Sequence, residues 1–195
     1  MLSNTGRIAW KGADVDKVVG FTGGEHGTWR LDALRPVRGE ALPQVARLSV
    51  IGPGMAYPSG SRWLLRGVTS NERYVTRAER DELRAVQEGL GRPTATCAAM
   101  IPIRKNAAWW ELAQDDRRAI LEDQSRHIRT GLKYLPPIAR RLYHCRDLGE
   151  PFDFLTWFEF APDHASAFEE LVGLLRSTEE WRYVDREVDF RLSLA

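Results

Sequence analysis

Apolar residues in this chain recur mostly in short runs, with helical spacing confined to a few longer ones. Residues 1–17 carry no period and read as a flexible tail. Order is expected from a short strand at 18–22, closed by Gly23-Gly24, followed by a second strand at 28–34. Residues 46–51 (ARLSVI) and 62–68 (RWLLRGV) read as a strand pair joined by the Gly/Pro-rich GPGMAYPSGS. Thr76 with Glu79 three residues on is a capping-box pattern, and Leu83, Val86 and Leu90 mark one apolar helix face that ends at 89–91. Gln87 lies four residues after Leu83. It is either a helix-edge glutamine in water or a buried amide that needs a polar partner.

Residues 98–103 (AAMIPI) predict a buried strand in which Pro102 requires a bulge or an edge position. Trp109 and Trp110 point different ways on a helix, so one of them faces a partner chain or a bound planar group. A helix over 115–124 delivers the chain to His127. A strand is expected at 139–145, and residues 152–160 (FDFLTWFEF) alternate with Phe152, Phe154, Thr156, Phe158 and Phe160 on one face. Asp163 is the expected N-cap of a helix striped by Ala165, Phe168, Leu171, Val172 and Leu175. In the last strand Trp181 and Tyr183 take odd positions while Val188, Phe190, Leu192 and Leu194 take even ones, which predicts a bulge over 185–187.

This order of elements describes an α+β protein of two ferredoxin-like halves, each an antiparallel sheet with helices on one face, the two sheets meeting on the other. The expected boundaries are a tail at 1–17, an N-terminal half at 18–104 and a C-terminal half at 105–195. A hydrophobic content of 43% supplies a core, and a net charge of +1 with interspersed signs argues against a dedicated nucleic-acid binder. Cys97 and Cys145 form no zinc or c-type haem motif; two free thiols fit a reducing cytoplasm, and one long-range disulfide is the alternative. No apolar run is long enough to span a bilayer and the N-terminus has no signal-peptide core, so the expected location is the cytoplasm.

The blocks IPIRKNAAWW, KYLPPIARRLYHCRDLGEPFDFLTWFEFAP and STEEWRYVDREVDFRL, with His127 before the second, resemble the chlorite dismutase family, most closely its short-chain dimeric branch. The resemblance runs from about residue 21 to 194. It implies a noncovalent haem b (iron protoporphyrin IX) in the C-terminal half, with His127 as the iron ligand and Glu180 on the last strand holding its second ring nitrogen. Glu179 is the nearest competitor for that role. It further implies Arg140 as the distal arginine, Gln87 as the amide that steadies it, and Lys105, Tyr74 and Trp109 around the haem propionates. Arg141 is read as structural, Trp110 as packing against a second subunit of a homodimer, and His144 and His164 as strand or cap residues.

The activity implied is an oxidoreductase that decomposes chlorite to chloride and dioxygen without an external electron donor, and that admits other small anions. Coproheme decarboxylation is the alternative within the superfamily, and Arg140 counts against it because that branch carries a neutral residue there. A haem-binding module with peroxidase-like activity is the alternative outside it.

Overall fold

The computed structural model describes residues 17–70 and 74–195, so all of the expected tail except Lys17 lies outside the described residues. The strands are β1 (Val18–Gly24), β2 (Trp29–Arg38), β3 (Arg47–Ile51), β4 (Trp63–Thr69), β5 (Cys97–Lys105), β6 (Ala139–His144), β7 (Phe154–Phe160) and β8 (Val184–Leu194). Every pairing is antiparallel, and the strands close into one barrel in the order β1-β3-β2-β8-β5-β7-β6-β4. Two separate sheets meeting face to face are thus replaced by a single closed sheet, which leaves no edge to protect.

The expected pairing of 46–51 with 62–68 is also corrected. β1 lies between β3 and β4 and bonds to both, because the connection between those two strands is long enough to step over it. Gly23 sits inside β1 rather than closing it. A Cβ there would stand 2.2 Å from the Trp63 ring, so glycine lets the indole lie across the strand.

Strand alternation divides the side chains. Even positions of β5 and β8 and odd positions of β6 and β7 fill the interior, where Met100, Tyr143, Leu155, Trp157 and Phe190 pack on Phe21, Trp29, Leu48 and Leu65. The opposite face of the same strands carries Ile101, Ile103 and Phe158, covered by Phe168, Leu171, Val172 and Leu175 of a helix at Ala165–Arg176. Both faces of β7 are therefore buried, although its residues alternate in the sequence. Phe152 lies before the strand and joins the interior instead of the outer row.

Pro102 stands in a central strand, in register with Leu155 of β7; the ladder to β8 skips Ile101 and Pro102, so the missing N–H falls where no bond is made. The predicted bulge on the last strand is present, since Arg104 faces Arg186 while Lys105 faces Val184 and leaves Asp185 extra. Trp181 and Tyr183, however, belong to a 3-10 turn (Glu179–Tyr183) that precedes β8.

Among the described residues five α-helices complete the fold: α1 (Arg77–Val86), α2 (Ala107–Glu111), α3 (Gln114–Arg118), α4 (His127–Leu132) and α5 (Ala165–Arg176). The Thr76–Glu79 capping box is formed in full at the start of α1, but the helix ends at Val86, which is exposed, and Gln87 is its C-cap. Asp163 does not cap α5; a 3-10 turn (Pro162–His164) leads in, and Ala165 is exposed. Among the described residues no helix is long and apolar enough to cross a membrane.

Candidate active site

The single helix expected over 115–124 is broken. α3 passes at Ala119 into a π-helical segment (Ala119–Gln124), and Arg126 then adopts a left-handed backbone with φ of 52°. A non-glycine residue there is strained, and both features recur at functional sites. Their effect is to end one helix and start α4 with His127 as its first residue, so the imidazole leaves the backbone in a direction that a continuous helix would not give. Glu122 holds this turn: its carboxylate accepts the backbone N–H of Ile128 at 2.7 Å and that of Arg129 at 3.3 Å. Ser125 ties the turn to its neighbour, its hydroxyl accepting the Glu180 N–H at 3.0 Å.

Glu180 is buried and makes two side-chain contacts. Oε2 lies 2.6 Å from His127 Nδ1 and Oε1 lies 2.7 Å from Lys105 Nζ, whose side chain is equally buried. Lys105 also donates to the Glu180 carbonyl at 3.2 Å and lies 4.7 Å from the centre of the Trp109 ring. Burial alone would raise the Glu180 pKa. The positive Lys105 and the His127 ring outweigh it and hold the carboxyl well below the usual carboxylate range. An ionised Glu180 can only accept, so Nδ1 carries the proton of this contact and Nε2 is the ring nitrogen left for another partner. Glu179, by contrast, points to Arg182 at 3.1 Å.

His127 opens onto a cleft enclosing about 1050 Å³ of empty space, its mouth included, between the outer face of β5–β7–β6 and the helices α2, α4 and α5. Its walls are mostly apolar, with Ile101, Ile103, Leu142, Phe154, Phe158, Leu171, Val172 and Leu175. Tyr74, Lys105, Trp109, Arg140 and Glu180 line the same cleft. Trp109 is fully buried, positioned by the Asn106 side chain that caps α2, and its Nε1 is a buried donor without an acceptor among the described residues.

Arg140 projects from β6 on the cleft side. Its guanidinium passes 3.8 Å from where a Cβ on Gly131 would stand, one helical turn beyond His127. Burial lowers its pKa from the ordinary value, yet an arginine stays charged at any physiological pH. No ion pair or hydrogen bond reaches that guanidinium from the described residues.

Seven residues singled out in the sequence are thus placed, and six share one cleft. Gln87 does not: its amide donates to the Arg140 backbone carbonyl at 2.8 Å instead of the guanidinium, and it lines a neighbouring cavity. Lys105 lines the cleft with its ammonium on the Glu180 carboxylate. Trp110 turns opposite to Trp109 and is half-buried, stacking on Phe154 at 6.0 Å, donating to Asp153 at 3.2 Å and lying under Arg146. His144 meets both of those rings edge-on. Ser125 and Glu122 escape a reading of the sequence, because their roles depend on a π-turn that no local pattern signals.

A model of the family described as chlorite dismutase matches residues 55–194. The chain belongs to the chlorite dismutase family. A chlorite dismutase of Ideonella dechloratans is 32% identical over 124 residues, which is 61% of this chain and 40% of that protein, so the match spans less than half of that relative's length. Among solved structures, the dimeric chlorite dismutase of Nitrobacter winogradskyi superposes with a TM-score of 0.83 and 61% identity, over 90% of this chain and 99% of that one. The enzyme of Candidatus Nitrospira defluvii, solved with imidazole, superposes with a TM-score of 0.55 and 31% identity over 69% of this chain and 56% of that one. The six residues that line the cleft all fall within the family match.

Proposed function

We propose that this protein is a haem-dependent chlorite dismutase, converting chlorite to chloride and dioxygen, and that it works as a homodimer. The observation that carries the reading is the opposition of two kinds of group in one apolar cleft: a His127–Glu180–Lys105 chain that leaves Nε2 as a donor, and an Arg140 guanidinium that meets no carboxylate among the described residues. Haem b fits these residues. A flat apolar ring suits the aliphatic and aromatic walls, Nε2 suits its iron, and the orphaned Trp109 Nε1 suits a carboxylate at its rim.

When bound, the haem iron would supply the redox chemistry for cleaving a chlorine–oxygen bond and joining two oxygen atoms. The residues do the rest. His127 Nε2 would hold the iron. Glu180, kept ionised by Lys105, accepts from Nδ1–H and makes the ring a stronger electron donor. Arg140 would draw in the chlorite anion, donate to its oxygens and keep it in the cleft. Chlorite becomes chloride and dioxygen with no net proton or electron, so no donor site is required. Retention also protects nearby oxidisable side chains such as Trp109.

Several coarser features support the remaining expectations. The strand order β4-β1-β3-β2 recurs as β8-β5-β7-β6, which favours two ferredoxin-like halves joined in one barrel, with β5 (Cys97–Lys105) grouped with the second half and so lying before the boundary expected at 104/105. Cys97 and Cys145 are free thiols, consistent with the cytoplasm. The dimeric relative supports a homodimer. The test is direct: protein reconstituted with haem b and given chlorite should release one dioxygen and one chloride per chlorite. Haem uptake without oxygen on an oxygen electrode would overturn the reading.

A further inference from the structure

Arg140 is the second residue of β6, and β7 holds that end of the strand on one side, with Ala139 facing Glu159 and Arg140 facing Phe158. Among the described residues β4 reaches only the far end of β6, at Tyr143 and His144. The other side of the Arg140 end is met by the segment after α1. Gln87 donates to the Arg140 carbonyl, and the Gly91 N–H donates to the buried Glu159 carboxylate. Arg92 spreads its guanidinium over the carbonyls of Pro136 at 3.2 Å, Pro137 at 2.7 Å and Glu159 at 3.4 Å. Pro136 and Pro137 have no N–H, so their carbonyls are the only backbone groups through which the chain entering β6 can be bonded there. A planar, charged fork fits two successive carbonyls, and Glu88 pairs with the same guanidinium from the solvent side.

We propose that Arg92 is a positioning residue for Arg140, fixing the chain that enters β6 so that the guanidinium faces an anion in the cleft. The Arg140 guanidinium meets no carboxylate among the described residues, so its place is set from its backbone and not from its tip. Gln87 holds that backbone at Arg140 itself, and Arg92 holds it three and four residues earlier. With one anchor the strand end can still pivot; two anchors fix its direction as well. A displacement of about 1 Å is enough to spoil the hold of a charged donor on a small anion. The inference rests on the proposed role of Arg140 toward the anion.

Two measurements test it, and neither depends on chlorite turnover. Crystal structures of wild type and Arg92→Ala should show the Arg140 guanidinium displaced by about 1 Å or spread over alternate positions in the variant, with His127 and Glu180 unmoved. In haem-loaded protein the same variant should bind fluoride about tenfold more weakly, leaving neutral imidazole unaffected. Arg92→Lys keeps the charge but not the fork, and should show smaller changes of the same kind. It serves if Arg92→Ala fails to fold, and its identity with wild type would then overturn the proposal. A guanidinium still in place, fluoride held as tightly as in wild type, or fluoride and imidazole weakened alike also overturns it, whatever happens to the melting temperature. If wild type evolves no oxygen yet both measurements give the expected results, the chlorite reading fails and the positioning role stands. If it takes up no haem, the crystal structures decide the positioning role alone.

Discussion

The Gln87 amide donates to the backbone carbonyl of Arg140 at 2.8 Å, and its reach ends there, short of the guanidinium. A glutamine that held the guanidinium would matter to catalysis directly. One that holds the strand matters through position. Gln87→Ala should therefore cost about 1 kcal/mol of stability, the worth of an ordinary hydrogen bond, and lower kcat/KM for chlorite less than any change at Arg140. Thermal melts beside oxygen-electrode kinetics check this. Full stability with a loss as large as that of Arg140→Ala would return the amide to the guanidinium.

On the proposed reading, the chain His127–Glu180–Lys105 would separate holding haem from tuning it. His127→Ala should abolish the histidine-ligated ferric spectrum. Glu180→Gln should keep the ligand but weaken haem retention or turnover about 10–100-fold, as loss of a partner behind a metal-bound histidine does. Spectral titration with haem measures both. Unchanged haem binding in His127→Ala would move the ligand elsewhere, and His144 is the next candidate.

Arg140 decides whether the cleft acts on an anion. Arg140→Ala should fold and take up haem, because its guanidinium has no protein partner among the described residues to lose. Its kcat/KM for chlorite should fall roughly 10–1,000-fold, the range for one charged donor at a reacting oxyanion. Escaping hypochlorite should chlorinate a phenol dye and bleach the haem sooner per turnover. Oxygen release as fast and as long-lived as in wild type would remove the anion-holding role.

Acid should unfold the protein through its buried carboxylates. Asp189 is nearly inaccessible; burial by itself would raise its pKa, but Arg191 and Arg176 bring it below the ordinary value. Glu180 is depressed in the same way. A carboxyl whose pKa is lower when folded stabilises fully above its unfolded pKa, about 4, and that stability is lost as pH falls through the folded value. Melting temperatures should hold from pH 7 to about 5 and then drop. Asp189→Asn should be less stable than wild type at pH 7, with the gap closing toward pH 3. A gap that stays constant with pH would assign the loss to packing instead.

Much of the site could be read without coordinates. His127, Glu180 and Arg140 fall in blocks specific enough to be placed one by one, and the Thr76–Glu79 cap is a local pattern whose partners are three residues apart. Other features were out of reach. Glu180 was expected on a strand and lies on a 3-10 turn, and nothing in the sequence announces that Lys105 meets it from 75 residues away. Contacts between distant segments leave no spacing to read.

What the sequence by itself determined is the type of element at most positions and the chemistry available: alternation makes strands, capping makes α1, and one imidazole and one guanidinium stand in specific blocks. Period two does not say which strand lies beside which, so whether the strands form two sheets or one barrel was open until β1 bonded to both β3 and β4. Nor does it say which face is interior when both are apolar, as on β7. The π-turn and the left-handed Arg126 are strained states that local propensity disfavours. Only the surrounding contacts hold them, Glu122 on the α4 backbone and Ser125 on Glu180, and those contacts exist once the barrel has closed and brought the 3-10 turn before β8 against the start of α4.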